Sequence, residues 1–180
     1  PGMTVINPCD YHQTKAAAIA IAHHDGPVYL RFGRPSWPMF TEDMPFEIGK
    51  ALHMAEGTDI SIFATGHMVW QAVEAAKELA KEGISVDLVN IHTIKPLDEE
   101  AILASVQKTG CAVSCEEHNR MGGLGDAIAQ VLTSNHPVPQ EFVAVNDSFG
   151  ESGTPAELLD KYGLSVADVV KAAKRALARK

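Results

Sequence analysis

The chain has 180 residues, of which 46% are hydrophobic and 21% charged, a composition that indicates a globular protein with an ordinary core. It excludes a disordered, collagen-like or coiled-coil chain. With 15 basic and 23 acidic residues the formal net charge is −8, so we expect neither nucleic acid nor an anionic membrane as a partner. No apolar run approaches the roughly 20 residues that span a bilayer.

The first part of the chain alternates between strand-like and helix-like segments. In chain order we predict a strand at Thr4–Pro8, a helix that Asp10 caps and that ends near His24, and a strand at Val28–Phe32. Gly33–Pro45 contains three prolines and has no hydrophobic period, so it is predicted to be a linker or an ordered loop. We place a domain boundary there, after residue 43.

The alternation continues beyond this boundary. We predict a strand or hairpin at Phe46–Ala55, strands at Ile60–Thr65, Val86–Ile91, Ala112–Glu116 and Phe142–Val145, a loop at Thr93–Leu97, and helices at Gly66–Glu82, Glu99–Lys108, Asp126–Ser134, Pro155–Tyr162 and Ser165–Ala178. Strands that alternate with helices form right-handed crossovers. The pattern therefore predicts an α/β fold with three layers, αβα, around a mostly parallel sheet.

The three cysteines offer no disulfide framework. Cys111 and Cys115 stand four apart in a predicted strand, so they project to the same face but lie too far apart to be bridged comfortably. We predict three free thiols, including Cys9, and a cytoplasmic protein.

Two groups of polar residues are candidates for chemistry. Glu116, Glu117 and His118 form a predicted loop at the carboxyl end of a strand, where α/β proteins bind ligands; they are either acid/base or metal groups, or a hydrogen-bonded polar loop. Arg31 lies within a predicted strand and Arg34 follows it, so the pair is able either to bind an anion such as a phosphate or to form structural ion pairs. For both groups, residue spacing alone does not decide between the two alternatives.

Familiar catalytic patterns are missing. Gly122–Gly125 is neither a GxGxxG fingerprint nor a P-loop, and we predict a tight turn there where a helix N-terminus approaches another backbone. The sequence contains no nucleophile–base triad, CxxC or HExxH pattern. By spacing alone it therefore predicts no catalytic residue, no cofactor-binding residue and no metal ligand.

Taken together, several segments resemble transketolases. They are, in order, Gly26–Pro35 (GPVYLRFGRP), Thr93–Asp98 (TIKPLD), Ser114–His118 (SCEEH), Gly122–Gly125 (GGLG) and Ser152–Leu164 (SGTPAELLDKYGL). The resemblance covers nearly the whole chain. It implies that residues 1–43 are the tail of a partial α/β pyrimidine-binding domain and that residues 44–180 are a transketolase C-terminal domain.

The resemblance also implies what the parent enzyme does. It would use thiamine diphosphate and Mg²⁺ to move two-carbon ketol units between sugar phosphates, in the pentose phosphate pathway. The cofactor and cation contacts of the family belong to earlier parts of the enzyme. Because the first residue is Pro1 and not methionine, we expect a fragment or a separately encoded subunit. Alone, it should bind neither cofactor nor metal and should be inactive. We expect it to assemble with an N-terminal transketolase part, and the assembled enzyme to be a homodimer.

Two residues are implied to bind substrate. In the family, the first arginine of the matching stretch contacts the substrate phosphate, and it falls on Arg31, while Arg34 supports the loop. Deoxyxylulose synthases carry a phosphate-contacting arginine where this chain has His92, which favours a transketolase; His92 itself either touches substrate or packs at the loop.

Two alternatives to a transketolase stay open. One is a fragment of a 1-deoxyxylulose-5-phosphate synthase or of a 2-oxo acid dehydrogenase β subunit, since these relatives share much of the pattern. The other is a non-catalytic assembly module.

Overall fold

Eight strands and six helices make up the structure, a computed structural model that describes all residues 1–180. The strands are β1 Thr4–Ile6, β2 Val28–Leu30, β3 Leu52–Ala55, β4 Ile60–Ala64, β5 Val86–Asn90, β6 Thr93–Lys95, β7 Ala112–Asn119 and β8 Gln140–Val145. The helices are α1 Tyr11–Ile21, α2 Met68–Lys81, α3 Glu99–Thr109, α4 Leu124–Asn135, α5 Pro155–Lys161 and α6 Val166–Leu177. No helix is both long enough and apolar enough to cross a lipid bilayer.

The larger sheet has five strands in the order β3-β5-β4-β7-β8, and only β3 runs antiparallel to its neighbour. All five residues of the central strand β4 are buried, as expected for a strand covered on both faces. Ile60 and Ile62 pack into one core cluster with α2 and α6, whereas Phe63 packs into a second cluster with α3 and α4. The predicted three-layer αβα fold with a mostly parallel sheet is confirmed.

A second, smaller sheet has the order β2-β1-β6. β1 and β2 are parallel and joined by α1, whereas β6 pairs antiparallel with β1, with Val5 opposite Lys95 and Ile6 opposite Thr93. The prediction of a loop at residues 93–97 is wrong for this strand. Its three residues have no alternation to detect, because only backbone bonds to a segment almost 90 residues earlier make it a strand.

The capping residue Asp10 starts α1 as predicted and also orders the proline-rich loop. Its carboxylate accepts the N–H groups of Gln13 at 2.9 Å, Phe40 at 2.7 Å and Thr41 at 2.8 Å. The segment 33–45 contains no helix or strand and is therefore the ordered loop of the two alternatives. The helix itself ends at Ile21, earlier than predicted.

Other boundaries shift as well. Only Leu52–Ala55 of the predicted strand or hairpin 46–55 is a strand. β7 continues through the predicted polar loop to Asn119, because an irregularity in its pairing with β8 after Cys115 brings Asn119 opposite Val145. All three cysteines are free and buried, which confirms the prediction of free thiols.

Candidate functional site

The two sheets meet at their carboxyl ends, and this contact is called the inter-sheet joint below. Asn7, which follows β1, offers its carbonyl oxygen to the Gly66 N–H at 3.2 Å and to the Thr65 hydroxyl at 3.3 Å. Gly66 has φ 55°, and a Cβ there would lie 2.6 Å from the Asn7 side chain. Only glycine fits this left-handed turn at so close an approach. The joint thus places polar residues from both sheets side by side.

Glu117 is the central charged group of the joint. Its Oε1 lies 3.1 Å from Arg31 Nη2, and its Oε2 lies 3.0 Å from His67 Nδ1. The hydrogen bond and the charge interaction with His67, and after them the Arg31 charge, lower the pKa of the Glu117 carboxyl despite its partial burial. The carboxylate therefore ties the end of β2 to the beginning of α2.

The loop after Arg31 packs directly over His67. The Trp37 ring stacks on the His67 ring with centroids 4.5 Å apart and an interplanar angle of 34°. A Cβ on Gly33 would lie 1.8 Å from His67 Cε1, so the backbone at position 33 has no room for a side chain. The Trp37 Nε1 is buried and has no hydrogen-bond acceptor.

Glu116 serves the start of α4. It is 2% exposed, and its carboxylate accepts the N–H groups of Leu124 at 2.7 Å and Gly125 at 2.8 Å. Burial raises the pKa of Glu116, and the two N–H groups oppose that shift. The Gly122–Gly125 turn is indeed a close approach at a helix N-terminus, but it approaches this carboxylate rather than another backbone.

The three candidates of β7 do not act together. Glu116 and Glu117 point to different partners, as neighbours on a strand do. His118 is exposed, and its Nδ1 lies 2.8 Å from the carbonyl oxygen of Asn119. They form neither an acid/base pair nor a metal-ligand set with one another, so the hydrogen-bonded alternative describes Glu116 and Glu117 better.

Arg31 lines an open cavity, called the inter-sheet cleft below. Its volume is about 480 Å³, and its wall includes Asn7, Arg31, Thr65, Lys95 and Gly123. The Arg31 side chain is 29% exposed and uses one N–H group for Glu117. Arg34 is exposed, forms no ion pair, and lines a separate cavity.

The structure buries His92 elsewhere. It is 1% exposed, its ring packs 4.4 Å from the Phe46 ring, and its Nδ1 lies 3.0 Å from the Thr93 hydroxyl. Burial lowers its pKa to about 4. His92 does not line the inter-sheet cleft, so the structure does not bring the two predicted substrate residues together.

Sequence reasoning missed the contact of Glu117 with His67 and Arg31. The sequence did contain a clue to this contact. Gly66-His67 comes just after the strand β4, Glu116-Glu117 lie in the second half of β7, and these two strands are neighbours in the sheet. Residues at the carboxyl ends of neighbouring parallel strands meet at one edge of the sheet.

One group of side chains has the types of a metal site. Ligand atoms of His53, Glu56 and Asp87 lie within 4.8 Å of one another. The Lys108 amine, however, lies 2.7 Å from Asp87 Oδ1 and 2.7 Å from Glu56 Oε2. This ammonium already supplies the positive charge that a cation would bring, and the Ser105 hydroxyl donates to the other oxygen of Asp87.

Comparison with known proteins decides the family. The family model for the transketolase C-terminal domain matches residues 49–169, which is more than half of the chain. The chain belongs to the transketolase family. It contains the family's C-terminal domain, as the sequence resemblance predicts.

The curated relatives are transketolase subunits and their kin. The chain is 47% identical to the 6-deoxy-6-sulfo-D-fructose transketolase subunit of Clostridium sp. (strain MSTE9), covering 100% of this chain and 56% of that protein. It is 41% identical to the putative transketolase C-terminal section of Methanocaldococcus jannaschii, covering 95% and 54%. It is 34% identical to 1-deoxy-D-xylulose-5-phosphate synthase 1 of Geobacter sulfurreducens, covering 100% and 29%. The chain thus spans about half the length of the transketolase relatives it matches.

Solved transketolases share the fold. A structure described as a split gene transketolase, inactive beta4 tetramer, superposes with a TM-score of 0.97 at 46% identity, covering 100% of this chain and 59% of that one. A transketolase from Pichia stipitis superposes with a TM-score of 0.75 at 22% identity, covering 99% and 25%. The second likeness shows the fold alone.

Proposed function

We propose that this chain is the C-terminal part of a thiamine-diphosphate-dependent transketolase that transfers two-carbon ketol units between sugar phosphates. The observation that carries the proposal is the alignment of the whole chain, at 47% identity, with 56% of a protein named as a transketolase subunit. The free, buried thiols support a cytoplasmic location.

The cofactor belongs to another part of the enzyme. A diphosphate held by Mg²⁺ needs oxygen ligands around the cation, whereas in this chain the cluster of His53, Glu56 and Asp87 is neutralised by Lys108. These residues do not fit a cation–diphosphate site. We therefore assign thiamine diphosphate and Mg²⁺ to an N-terminal partner, and no chemical step to this chain alone.

The open edge of the smaller sheet supports the existence of such a partner. β2 pairs only with β1, so its outer edge has unpaired backbone groups. Two large apolar residues nearby are exposed, Ile19 by 57% on α1 and Tyr29 by 55% on β2. We propose that the N-terminal transketolase part adds strands to this edge and that the assembled enzyme is a homodimer.

Reconstitution tests the proposal. The chain is expected to show no turnover with thiamine diphosphate, Mg²⁺, a ketose phosphate donor and an aldose phosphate acceptor. Addition of the N-terminal partner is expected to restore turnover. Ketol transfer by the purified chain alone would refute the assignment, and so would an inactive reconstituted pair.

We also propose that Arg31 binds the substrate phosphate. Its guanidinium is held by Glu117 at one nitrogen and keeps further N–H groups beside the inter-sheet cleft. In the assembled enzyme, Arg31→Ala is expected to raise KM for phosphorylated acceptors about tenfold or more, since a lost charge-assisted contact costs about 1.5–3 kcal/mol. Unphosphorylated acceptors should be unaffected.

Two variants make this test discriminating. Arg34→Ala shows whether the freely exposed arginine binds the phosphate instead. Arg175→Ala, which removes a surface ion pair with Glu141, is the matched control and should leave KM unchanged. An equal loss with phosphorylated and unphosphorylated acceptors in Arg31→Ala would contradict the phosphate role.

His92 remains a weaker substrate candidate. In this structure the Phe46 ring covers it, so contact with substrate would require that ring to move. Packing at the loop, the other alternative, agrees with its burial.

A 1-deoxyxylulose-5-phosphate synthase is the second candidate. The relative from Geobacter sulfurreducens matches the whole chain at 34% identity. Pyruvate as donor separates the two reactions, because a synthase decarboxylates it and a transketolase uses a ketose phosphate. Decarboxylation of pyruvate in this assay would also be the result expected for a 2-oxo acid dehydrogenase.

A further inference from the structure

We propose that Glu117 is a positioning residue: from the C-terminal domain, it holds Arg31 and the loop that follows in the orientation that binds the substrate phosphate. The proposal rests on the proposed function of Arg31. It gives the C-terminal domain, which lacks the cofactor site, a direct influence on the preference for phosphorylated substrates.

Each carboxylate oxygen of Glu117 contacts a different side chain. One contacts Arg31 Nη2 at 3.1 Å, and the other contacts His67 Nδ1 at 3.0 Å. His67 is 7% exposed and is fixed by the Trp37 ring on one face. The carboxylate is therefore held at both oxygens, and it holds the Arg31 guanidinium at one nitrogen.

The arrangement does more than neutralise a buried charge. Arg31 and Glu117 keep 29% and 24% of their side-chain surface exposed, so neither charge needs a partner to avoid an isolated position in the core. A long arginine side chain at such a site otherwise samples several rotamers, and ordering it costs conformational entropy. Glu117 orders Arg31 before substrate arrives, which reduces what binding must supply.

The loop is held by the same contacts. Gly33 passes over the His67 ring without space for a Cβ, and Trp37 lies on that ring. Loss of Glu117 frees His67 as well as Arg31. Residues 31–37 should then move as a unit.

Kinetics of the assembled enzyme test the proposal. Glu117→Ala is expected to raise KM for phosphorylated acceptors about fivefold to tenfold, with kcat changed less than about twofold, and to leave unphosphorylated acceptors unaffected. Glu117→Gln, which keeps the size, one acceptor oxygen for Arg31 Nη2 and an NH2 group that can donate to an unprotonated His67 Nδ1, should restore KM to within about threefold of the wild type. Glu78→Ala, which removes an exposed ion pair with Lys81 on α2, is the control.

A double-mutant cycle separates positioning from a general structural role. If Glu117 acts through Arg31, then adding Glu117→Ala to Arg31→Ala raises KM no further. If the two effects on KM multiply, or if Glu117→Ala lowers kcat for all acceptors alike, the proposal is wrong. Should Arg31→Ala itself leave KM unchanged, the phosphate role of Arg31 fails and the positioning role fails with it.

Trp37 provides a readout that needs no activity. With Trp70→Phe, Trp37 is the only tryptophan of this chain, which has two. Glu117→Ala in that background should increase acrylamide quenching of Trp37, whereas Glu78→Ala should not. Equal quenching in both variants would show that Glu117 does not hold the loop.

Discussion

Gly33 allows the loop after Arg31 to pass close to the His67 ring. A Cβ at this position would lie 1.8 Å from His67 Cε1, although the backbone of Gly33 is not in the left-handed region. The constraint is therefore steric, and sequence patterns do not reveal it because His67 is 34 residues away along the chain.

We expect Gly33→Ala to lower the free energy of unfolding by about 1–3 kcal/mol, the usual cost of overpacking, and to displace Trp37 from His67. Thermal unfolding and Trp37 fluorescence measure both effects. Gly150→Ala is the matched control, since nothing lies within 4 Å of a Cβ there. A Gly33→Ala variant as stable as Gly150→Ala would contradict the close approach.

His92 makes stability depend on pH. Its folded pKa is lowered to about 4 from 6.5 by burial, so below pH 6.5 the unfolded chain binds a proton that the folded chain does not. Stability should therefore be complete above pH 6.5 and fall by about 3 kcal/mol as the pH drops to 4.

The test compares unfolding free energies of the wild type and His92→Asn at pH 7 and pH 4.5. Asparagine retains a polar atom near the Thr93 hydroxyl but does not titrate. The variant should lose less stability than the wild type between the two pH values. Identical pH dependence would show that His92 is not buried in its neutral form.

At the scale of elements, the aspartate caps were predictable and the strand β6 was not. The sequence predicts the Asp10 cap, and the side chains of Asp10 and Asp98 accept the N–H groups of Gln13 and Ala101. A cap and its partner lie within one helical turn, so the sequence shows both. β6 exists only because β1 lies beside it, and the pairing of distant segments leaves no local pattern.

The two caps should differ in their contribution. Asp10 also binds the N–H groups of Phe40 and Thr41, whereas Asp98 has one further partner, the Ala51 N–H at 2.8 Å. We expect Asp98→Ala to cost about 1–2 kcal/mol and Asp10→Ala about 3 kcal/mol or more. Urea unfolding measures both, and an equal cost would show that the proline-rich loop does not depend on Asp10.

At the scale of the whole molecule, the α/β architecture followed from the alternation of elements, but the site did not. The fold class depends on periodicity summed over many residues, which one sequence shows well. The joint depends on single contacts between distant segments, such as Glu117 with Arg31. The residues alone make Arg31 a candidate and the family resemblance favours a phosphate role, but neither gives a partner for it.

The open edge of β2 and the exposed apolar residues near it predict association. We expect the purified chain to be larger than a monomer in light scattering at micromolar concentration, and to bind its N-terminal partner. A monomer without affinity for an N-terminal partner would contradict this prediction.

The inter-sheet joint has a consequence for how the molecule is divided into modules. The family match begins at residue 49, yet β6 from beyond that point completes the sheet of β1, and Glu117 completes the ion pair of Arg31. A cut after residue 43 would uncover the edge of β6 and leave Glu117 without its arginine. Chimaeras that exchange C-terminal domains between transketolases at that border should therefore succeed only when both sides of the joint are exchanged together.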